Sequence, residues 1–210
     1  MKRIGMFGGA FDPPHMAHLV LAQLAVEALE LDELHIIPTG QAWHKARTLS
    51  SPEHRLAMTQ LAFQGMPRVV VDDRELQRSG PTFTIDTLEA LQRENLGAQL
   101  YLVMGADQFV AFQQWHKWQA IAGLAIICVA DRAPSTPSSA DNDAYFEAYF
   151  KGYKGLENRF VRLQMPLMAT SATQIRQLMA SNVGKTLATN TLVTEPVARY
   201  ISANHLYSRP

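Results

Sequence analysis

Apolar runs that have the pattern of buried strands alternate with helix-period segments along almost the whole chain. The predicted strands cover residues 3–7, 33–38, 68–72, 99–105, 125–130 and 160–164. The predicted helices cover residues 18–29, 52–64, 84–95, 106–113, 172–181 and 195–204. The first five strands lack the polar alternation of a half-exposed sheet, which is typical of parallel strands covered on both faces.

This order of elements predicts an α/β fold, with a doubly wound, mainly parallel sheet and helices on both faces. The chain has 210 residues, so we expect one domain over 1–210. Two segments interrupt the alternation. Residues 133–143 are predicted to form a polar loop, and the aromatic-rich residues 145–153 a short helix packed on the core.

The composition disfavours several classes of partner. Lys plus Arg and Asp plus Glu both number 19, so the formal net charge is zero, and no cationic run predicts a nucleic-acid partner. No apolar run approaches the roughly 18–20 residues that span a bilayer, so no membrane partner is expected. The single cysteine, Cys128, allows no disulfide within the chain, and no signal peptide follows Met1, so we expect a cytoplasmic protein. A monomer and a homo-oligomer both remain open.

The most informative polar segment follows the first predicted strand and contains Gly8, Gly9, His15 and His18. Glycines allow a close approach of the backbone to a ligand, and a helix N-terminus attracts anions through unpaired N–H groups and its dipole. Two histidines three residues apart can project toward one spot. We therefore predict a phosphate site here. A metal site that includes Asp12 and a plain polar helix start are the alternatives, although no further ligands of matching spacing follow.

Other predicted strands are also followed by residues suited to binding. Lys45 follows the second strand, where it can meet a phosphate or remain a solvated surface residue. Thr84 lies near the predicted start of a helix after the third strand, where it can cap the helix or belong to a second anion site. Asp107, after the fourth strand, can accept hydrogen bonds from ribose hydroxyls or cap a helix. Trp115 can stack on a flat ring, although its spacing from Phe112 also suits a core position.

The segment from Ser171 to Arg176 carries a second cluster of hydroxyls and positive charge. Ser171 and Gln174 form a capping-box pattern at a predicted helix start. Ser171, Thr173 and Arg176 would lie on the first turns of that helix, and the planar guanidinium of arginine binds two phosphate oxygens at once. The pattern therefore predicts a second phosphate contact.

Together these segments resemble the nucleotidyltransferases of the HxGH motif, and among them the bacterial-type nicotinate-nucleotide adenylyltransferases. The Gly-Gly-x-Phe-Asp-Pro lead-in is intact, and Ala17 stands where the family usually has glycine. Residues 75–88 resemble the family's Glu-Leu-x-Arg-x-Gly-Pro-Ser-Tyr-Thr segment, and residues 105–115 its Gly-x-Asp segment that ends in tryptophan. Residues 171–176 resemble its second signature, Ser-x-Thr-x-x-Arg.

The resemblance implies transfer of the adenylyl group of ATP to nicotinate mononucleotide, which gives nicotinate adenine dinucleotide and pyrophosphate in NAD synthesis. Mg²⁺ would be bound mainly through the ATP phosphates, with no metal site on the protein, and residues from about 165 to 210 would complete the ATP site. The implied catalytic residues are His15, His18 and Arg176. The implied ATP contacts are Gly8, Gly9, Phe11, His15, His18, Gly105, Asp107, Arg132, Ser171, Thr173 and Arg176. The implied contacts to the mononucleotide are His44, Lys45, Phe83, Thr84 and Trp115.

Within the resemblance, the backbone N–H groups of Phe83 and Thr84 receive the pyridine carboxylate and Trp115 stacks on the ring. Arg132 resembles the second arginine of an Arg-Arg-Pro element whose other two positions differ here. Two alternatives remain: a sister adenylyltransferase that uses nicotinamide mononucleotide or phosphopantetheine, and a catalytically inactive nucleotide-binding module.

Overall fold

The computed structural model describes residues 1–40, 49–132, 150, 153, 155–166, 168, 170–180 and 192–207. The strands are β1 Arg3–Gly9, β2 Glu33–Pro38, β3 Val69–Val71, β4 Gln99–Gly105, β5 Ala125–Arg132 and β6 Phe160–Met165. The helices with described bounds are α1 Met16–Ala28, α2 Pro52–Phe63, α3 Thr84–Glu94, α4 Ala106–Val110, α5 Trp118–Leu124, α6 Ala172–Ala180 and α7 Glu195–Ala203.

The six strands form one parallel sheet in the order β3-β2-β1-β4-β5-β6. The strand order reverses at β1, which pairs with β2 on one side and with β4 on the other. In open parallel sheets the crevice beyond the carboxyl ends of the strands at such a reversal is where ligands bind. The fold therefore confirms the predicted sheet and directs attention to the segments after β1 and β4.

Two apolar cores lie on opposite faces of the sheet, because successive strand residues point to opposite sides. Phe7 and Val103 belong to the core covered by α1, α2, α6 and α7. Met6 and Leu102 belong to the core covered by α3, α4 and α5. Each buried large aliphatic or aromatic side chain contributes roughly 1.5–3 kcal/mol through removal of apolar surface from water. Helices on both faces are as predicted.

The structure corrects the sequence prediction at two places. β3 is shorter than the predicted 68–72, and as an edge strand it leaves Val70 43% exposed, so it is not covered on both faces. The predicted helix 106–113 ends at Val110, and the unpredicted helix α5 begins after Lys117, whose φ of 54° is left-handed. α5 was missed because seven residues are too few to show a helical period.

The interrupting segments lie largely outside the described residues. This applies to the whole predicted loop 133–143 and to residues 145–149. Phe150 and Tyr153 are described, and both pack against Phe109 in the core beneath α4, with ring centroids 5.5 and 5.4 Å from it.

A partly buried network of charges ties β2, the segment after β3 and α3 together. His35 lies between two carboxylates, with Nδ1 2.9 Å from Asp72 Oδ2 and Nε2 2.8 Å from Glu33 Oε1. Arg74 donates from Nε to Asp72 Oδ2 at 2.7 Å and makes two 2.9 Å hydrogen bonds to Glu94. Burial opposes ionisation of Asp72, but the hydrogen bonds from His35 and Arg74 outweigh it and hold its pKa at about 2. No sequence pattern predicted this network, because its members come from three separate segments of the chain.

We expect Asp72→Asn to lower the free energy of unfolding by about 1–2 kcal/mol at pH 7. The pKa of Asp72 falls from its ordinary 3.8 to about 2 on folding, so the ionised group stabilises the protein above pH 3.8. This contribution is lost as the pH falls toward 2. Urea unfolding at pH 7, 5 and 3 should therefore show the variant and the wild type converging. Glu30→Gln is the matched control, because the Glu30 side chain is 81% exposed. A difference in unfolding free energy between Asp72→Asn and the wild type that does not change with pH would contradict a lowered pKa of Asp72 as its cause.

Candidate functional site

The two histidines of the first motif lie side by side at the carboxyl edge of the sheet. The chain leaves β1 at Gly9, and α1 begins at Met16 with His15 as its N-cap. The imidazoles of His15 and His18 stack, with ring centroids 3.7 Å apart and an interplanar angle of 21°. The structure therefore brings these two rings to one spot, as their spacing predicted.

A hydrogen bond fixes which nitrogen of His18 carries the proton in the neutral ring. The backbone N–H of His15 donates to Nδ1 of His18 at 3.1 Å, so Nδ1 is an acceptor. The proton of the neutral imidazole then lies on Nε2, which makes that nitrogen a hydrogen-bond donor. His18 can therefore donate to a phosphate oxygen without first being protonated.

The N-terminus of α1 differs from the sequence prediction of unpaired N–H groups. The N–H of Met16 donates to the carbonyl of Leu192 at 2.9 Å, and the N–H of His18 donates to the carbonyl of His15 at 2.8 Å. These two amides are already hydrogen-bonded within the protein. The positive end of the helix dipole remains, and it favours an anion beside the histidines.

The glycines and Phe11 shape the turn before the histidines. A Cβ at Gly9 would lie 3.0–3.3 Å from the ring atoms of Phe11, so a larger residue there would require the buried Phe11 ring to shift, whereas a Cβ at Gly8 would make only ordinary contacts. Phe11 has a left-handed φ of 46° and is buried among Phe7, His18 and Phe63. Its ring supports His18 from the core, so a contact of Phe11 with ATP would use its backbone.

The position that differs from the family's glycine is part of the core. Ala17 is buried, and it packs in the apolar cluster between α1 and the sheet. The methyl group of Ala17 therefore packs in the interior. Alanine also has a higher helix propensity than glycine.

The second signature lies next to the first. Ser171 Oγ accepts the N–H of Gln174 at 3.2 Å at the start of α6, so this part of the predicted capping box is present. Arg176 donates from Nη2 to Thr173 Oγ1 at 3.0 Å and from Nη1 to the backbone carbonyl of Asp12 at 2.8 Å. The guanidinium thus joins α6 to the turn that carries the histidines, across 164 residues of sequence.

The segment after β3 is held by a chain of hydrogen bonds behind the start of α3. Phe83 is the N-cap of α3 and Thr84 its first residue, so their N–H groups lie at the positive end of the helix. Arg78 donates to Thr87 Oγ1 at 2.7 Å, and Thr87 donates to Glu75 Oε1 at 2.9 Å. Burial raises the pKa of Glu75. This network fixes α3 relative to the preceding loop.

The segment after β4 contributes one polar and two aromatic side chains. Asp107 is exposed in the first turn of α4, and its Oδ1 would be 2.7 Å from a Cβ at Gly105, so glycine leaves room for the carboxylate there. Trp115 is half-buried and meets Phe112 edge-on, with centroids 5.7 Å apart. Trp118 packs on Phe112 and Tyr153 in the core.

Two residues at this edge of the sheet were missed by the sequence interpretation. The ring of His116 contacts that of Phe83, with centroids 4.4 Å apart and an interplanar angle of 37°, so it joins the segments after β3 and β4. Arg55 on α2 is 2% exposed and donates to the carbonyls of Ser50, Ala10 and Thr39 at 3.1, 3.1 and 2.7 Å. Arg55 could have been recognised from the sequence, because it is an arginine on the apolar face of α2.

Three predicted site residues cannot be placed by their side chains. His44 and Lys45 lie outside the described residues. Arg132 is the last residue of β5, where its backbone pairs with Met165 of β6, and only its backbone is described.

Among the residues that the structure describes, no group of three or more His, Cys, Asp or Glu residues could hold a metal ion. The Asp12 carboxylate, the candidate third ligand beside the histidines, instead accepts hydrogen bonds from Tyr207 and Ser50.

The described helices are all too short or too polar to cross a membrane.

The chain is similar to a family of nucleotide-transferring proteins and to curated bacterial proteins over its full length. A family model described as cytidylyltransferase-like matches residues 6–178. A probable nicotinate-nucleotide adenylyltransferase of Albidiferax ferrireducens is 52% identical over 99% of this chain and 98% of its own. A protein of the same name from Methylibium petroleiphilum is 40% identical over 100% of this chain and 94% of its own.

Solved structures share the fold at low sequence identity. The nicotinic acid mononucleotide adenylyltransferase of Plasmodium falciparum, complexed with APC, superposes with a TM-score of 0.76 at 17% identity, over 99% of this chain and 98% of that chain. The same protein complexed with NaAD gives a TM-score of 0.73, with the same identity and coverage.

We expect Arg55→Met to lower the free energy of unfolding by about 2–4 kcal/mol, because three carbonyls lose a charged donor in the interior. Urea unfolding at pH 7 measures the change. Arg93→Met is the matched control, because Arg93 is an exposed arginine in the last turn of α3. Equal stability of the two variants would show that Arg55 does not hold the loops after β1 and β2 together.

Proposed function

We propose that this chain, which belongs to the nicotinate-nucleotide adenylyltransferases within the cytidylyltransferase-like family, transfers the adenylyl group of ATP to nicotinate mononucleotide. The products are nicotinate adenine dinucleotide and pyrophosphate, which makes the reaction a step of NAD synthesis. The observation that carries the proposal is the meeting of the two signatures, in which Arg176 of α6 donates to Asp12 in the turn that leads to His15 and His18.

The reaction needs alignment and charge neutralisation more than a protein base. The attacking group is the phosphate of the mononucleotide, which is already largely ionised near pH 7. An oxygen of this phosphate forms a bond to the α-phosphorus of ATP, and the bond from that phosphorus to the β-phosphate bridge breaks. Pyrophosphate leaves with the bonding electrons. Such a transfer is promoted by fixing the reacting groups in line and by donors to the phosphoryl oxygens.

We propose that His18 and His15 contact the α- and β-phosphates. Because Nδ1 of His18 accepts a hydrogen bond from the backbone of His15, the Nε2–H group of His18 is the one that can donate to a phosphate oxygen. The positive end of the α1 dipole adds to the attraction for the triphosphate. Because the His15 ring is stacked on the His18 ring, a change at one histidine alters the position of the other.

We assign the β- and γ-phosphates to Arg176, Ser171 and Thr173. The guanidinium is held in place by Asp12 and by Thr173, so it loses little conformational freedom when ATP binds. The nucleoside would lie over Gly8, Gly9 and Gly105, with Asp107 at the ribose. The proposed roles of His44, Lys45 and Arg132 rest on the resemblance alone.

We assign the nicotinate ring to the space between the segments after β3 and β4. The N–H groups of Phe83 and Thr84, at the start of α3, would receive the pyridine carboxylate, and Trp115 would stack on the ring. The contact between His116 and Phe83 supports this assignment, because it places Phe83 beside the tryptophan segment.

We infer that Mg²⁺ enters with ATP as part of the substrate, bound through phosphate oxygens, with few ligands from the protein. Mg²⁺ would neutralise charge on the phosphates. We propose a single domain over residues 1–210 in which the part from about 165 onward completes the ATP site. Arg176 and Tyr207 both contact Asp12, in the turn between β1 and α1, and the carbonyl of Leu192 accepts from the first residue of α1. These contacts support a single domain.

We place the protein in the cytoplasm, and propose ATP and nicotinate mononucleotide as its partners, with no nucleic acid and no membrane. The single thiol supports this location, because it allows no disulfide within the chain. Cys128 is buried in β5, and burial raises its pKa to about 12.

Release of pyrophosphate from ATP tests the function directly. We expect kcat/KM for nicotinate mononucleotide to exceed that for nicotinamide mononucleotide about 10- to 150-fold, because a hydrogen bond to a charged group contributes roughly 1.5–3 kcal/mol. Phosphopantetheine serves as the third acceptor in the same assay. Equal kcat/KM values for the two pyridine mononucleotides would contradict the proposed binding of the pyridine carboxylate by the N–H groups of Phe83 and Thr84. ATP binding without pyrophosphate release for any acceptor would favour an inactive binding module.

We expect His18→Ala to lower kcat by about 10²–10³ while the fold remains intact, because a preorganised donor to the reacting phosphates is lost. Steady-state kinetics and thermal unfolding measure the two effects separately. The matched control is His54→Ala, in which a helical histidine hydrogen-bonded to Tyr200 is removed far along the chain from the motif. A kcat within twofold of the wild type for His18→Ala would remove the catalytic role from this residue.

A further inference from the structure

The carboxylate of Asp12 is buried and receives donors from two distant parts of the chain. Asp12 is 1% exposed. The hydroxyl of Tyr207 donates to Oδ1 at 2.6 Å, and the backbone N–H of Ser50 donates to Oδ2 at 3.3 Å. The sequence separation between Tyr207 and Asp12 is 195 residues. A buried carboxylate depends strongly on such donors, because its charge has lost the solvation of water.

Tyr207 is held in a conformation that aims its hydroxyl at this carboxylate. Its φ of 62° is left-handed, which is uncommon for a bulky side chain and persists where the surroundings fix it. The hydroxyl also lies 3.9 Å from Sδ of Met58 on α2. Burial and the neighbouring Asp12 raise the pKa of Tyr207, so the hydroxyl keeps its proton and remains a donor.

Asp12 connects this contact to the residues assigned to the triphosphate. Its own carbonyl accepts from Arg176 at 2.8 Å, and His15 follows three residues later. A shift of the Asp12 carboxylate would therefore move the carbonyl that orients the guanidinium and the start of the turn that orients both histidines. Displacements of about 1 Å at reacting groups are enough to lower rates substantially.

We propose that Tyr207 is a positioning residue for adenylyl transfer, acting through Asp12 to set Arg176 and the histidine turn against the triphosphate. This inference rests on the proposed function. It gives Tyr207, which lies outside both nucleotide signatures, a role in ATP binding.

Tyr207→Phe tests the proposal, because it removes the hydroxyl and keeps the ring. Tyr200→Phe is the matched control: Tyr200 lies in α7, and its hydroxyl is 3.0 Å from Nδ1 of His54 in the first turn of α2. The readouts are kcat, KM for ATP and KM for nicotinate mononucleotide. Calorimetric binding of a methylene analogue of ATP that cannot release pyrophosphate is measured in parallel, well below the unfolding temperature of each variant.

We expect Tyr207→Phe to lower kcat/KM for ATP about 10-fold and to weaken analogue binding, with KM for the mononucleotide within twofold of the wild type. Tyr200→Phe should leave all three constants unchanged. Unchanged kinetics and analogue binding in Tyr207→Phe, or an equal rise of both KM values, would overturn the proposal, since a purely structural contact lowers stability without this separation.

A double-mutant cycle with Asp12→Asn tests whether Tyr207 acts through Asp12. Adding Tyr207→Phe to Asp12→Asn should change kcat/KM for ATP by less than about twofold, because the two residues share one path. Fully additive effects would overturn the proposed path. If the wild type itself releases no pyrophosphate, the proposed function fails, and analogue binding still reports whether Tyr207 positions the nucleotide site.

Discussion

The turn between β1 and α1 is held by polar groups from three other parts of the chain, and the arrangement of the site depends on this. Arg55 donates to the carbonyl of Ala10, and Arg176 to that of Asp12. Tyr207 donates to the Asp12 carboxylate. A turn at the edge of a sheet has few hydrogen bonds of its own, so it takes the position that its partners impose. These partners come from α2, α6 and the segment after α7, so the position of the histidine turn depends on elements that are distant along the chain.

The proposed triphosphate site does not require a net positive charge on the whole chain. The cationic and dipolar groups are concentrated where the strand order reverses, with the N-terminus of α1 and Arg176 meeting beside His15 and His18. Other described charges are paired with one another, as in the network of His35, Asp72 and Arg74. Local potential, more than the total charge, determines where an anion binds.

Much of the fold could be predicted from the sequence because its signals are local. The bounds of β2 and β4 agree with the prediction at both ends, since apolar runs between turn residues mark buried strands directly. The capping contact between Ser171 and Gln174 was also predictable, because both residues lie within one helical turn. α5 was not predicted, because a helix of seven residues leaves no periodic pattern. β3 was predicted, but one residue too long at each end.

The sequence by itself determined the α/β class, the histidine turn and the second signature, since each depends on residues close together along the chain. Only the tertiary structure decided which residues support them. The contacts of Asp12 span 164 residues to Arg176 and 195 to Tyr207, and that between His35 and Asp72 spans 37. Their geometry follows from the packing of helices on both faces of the sheet, which no local pattern of residues specifies.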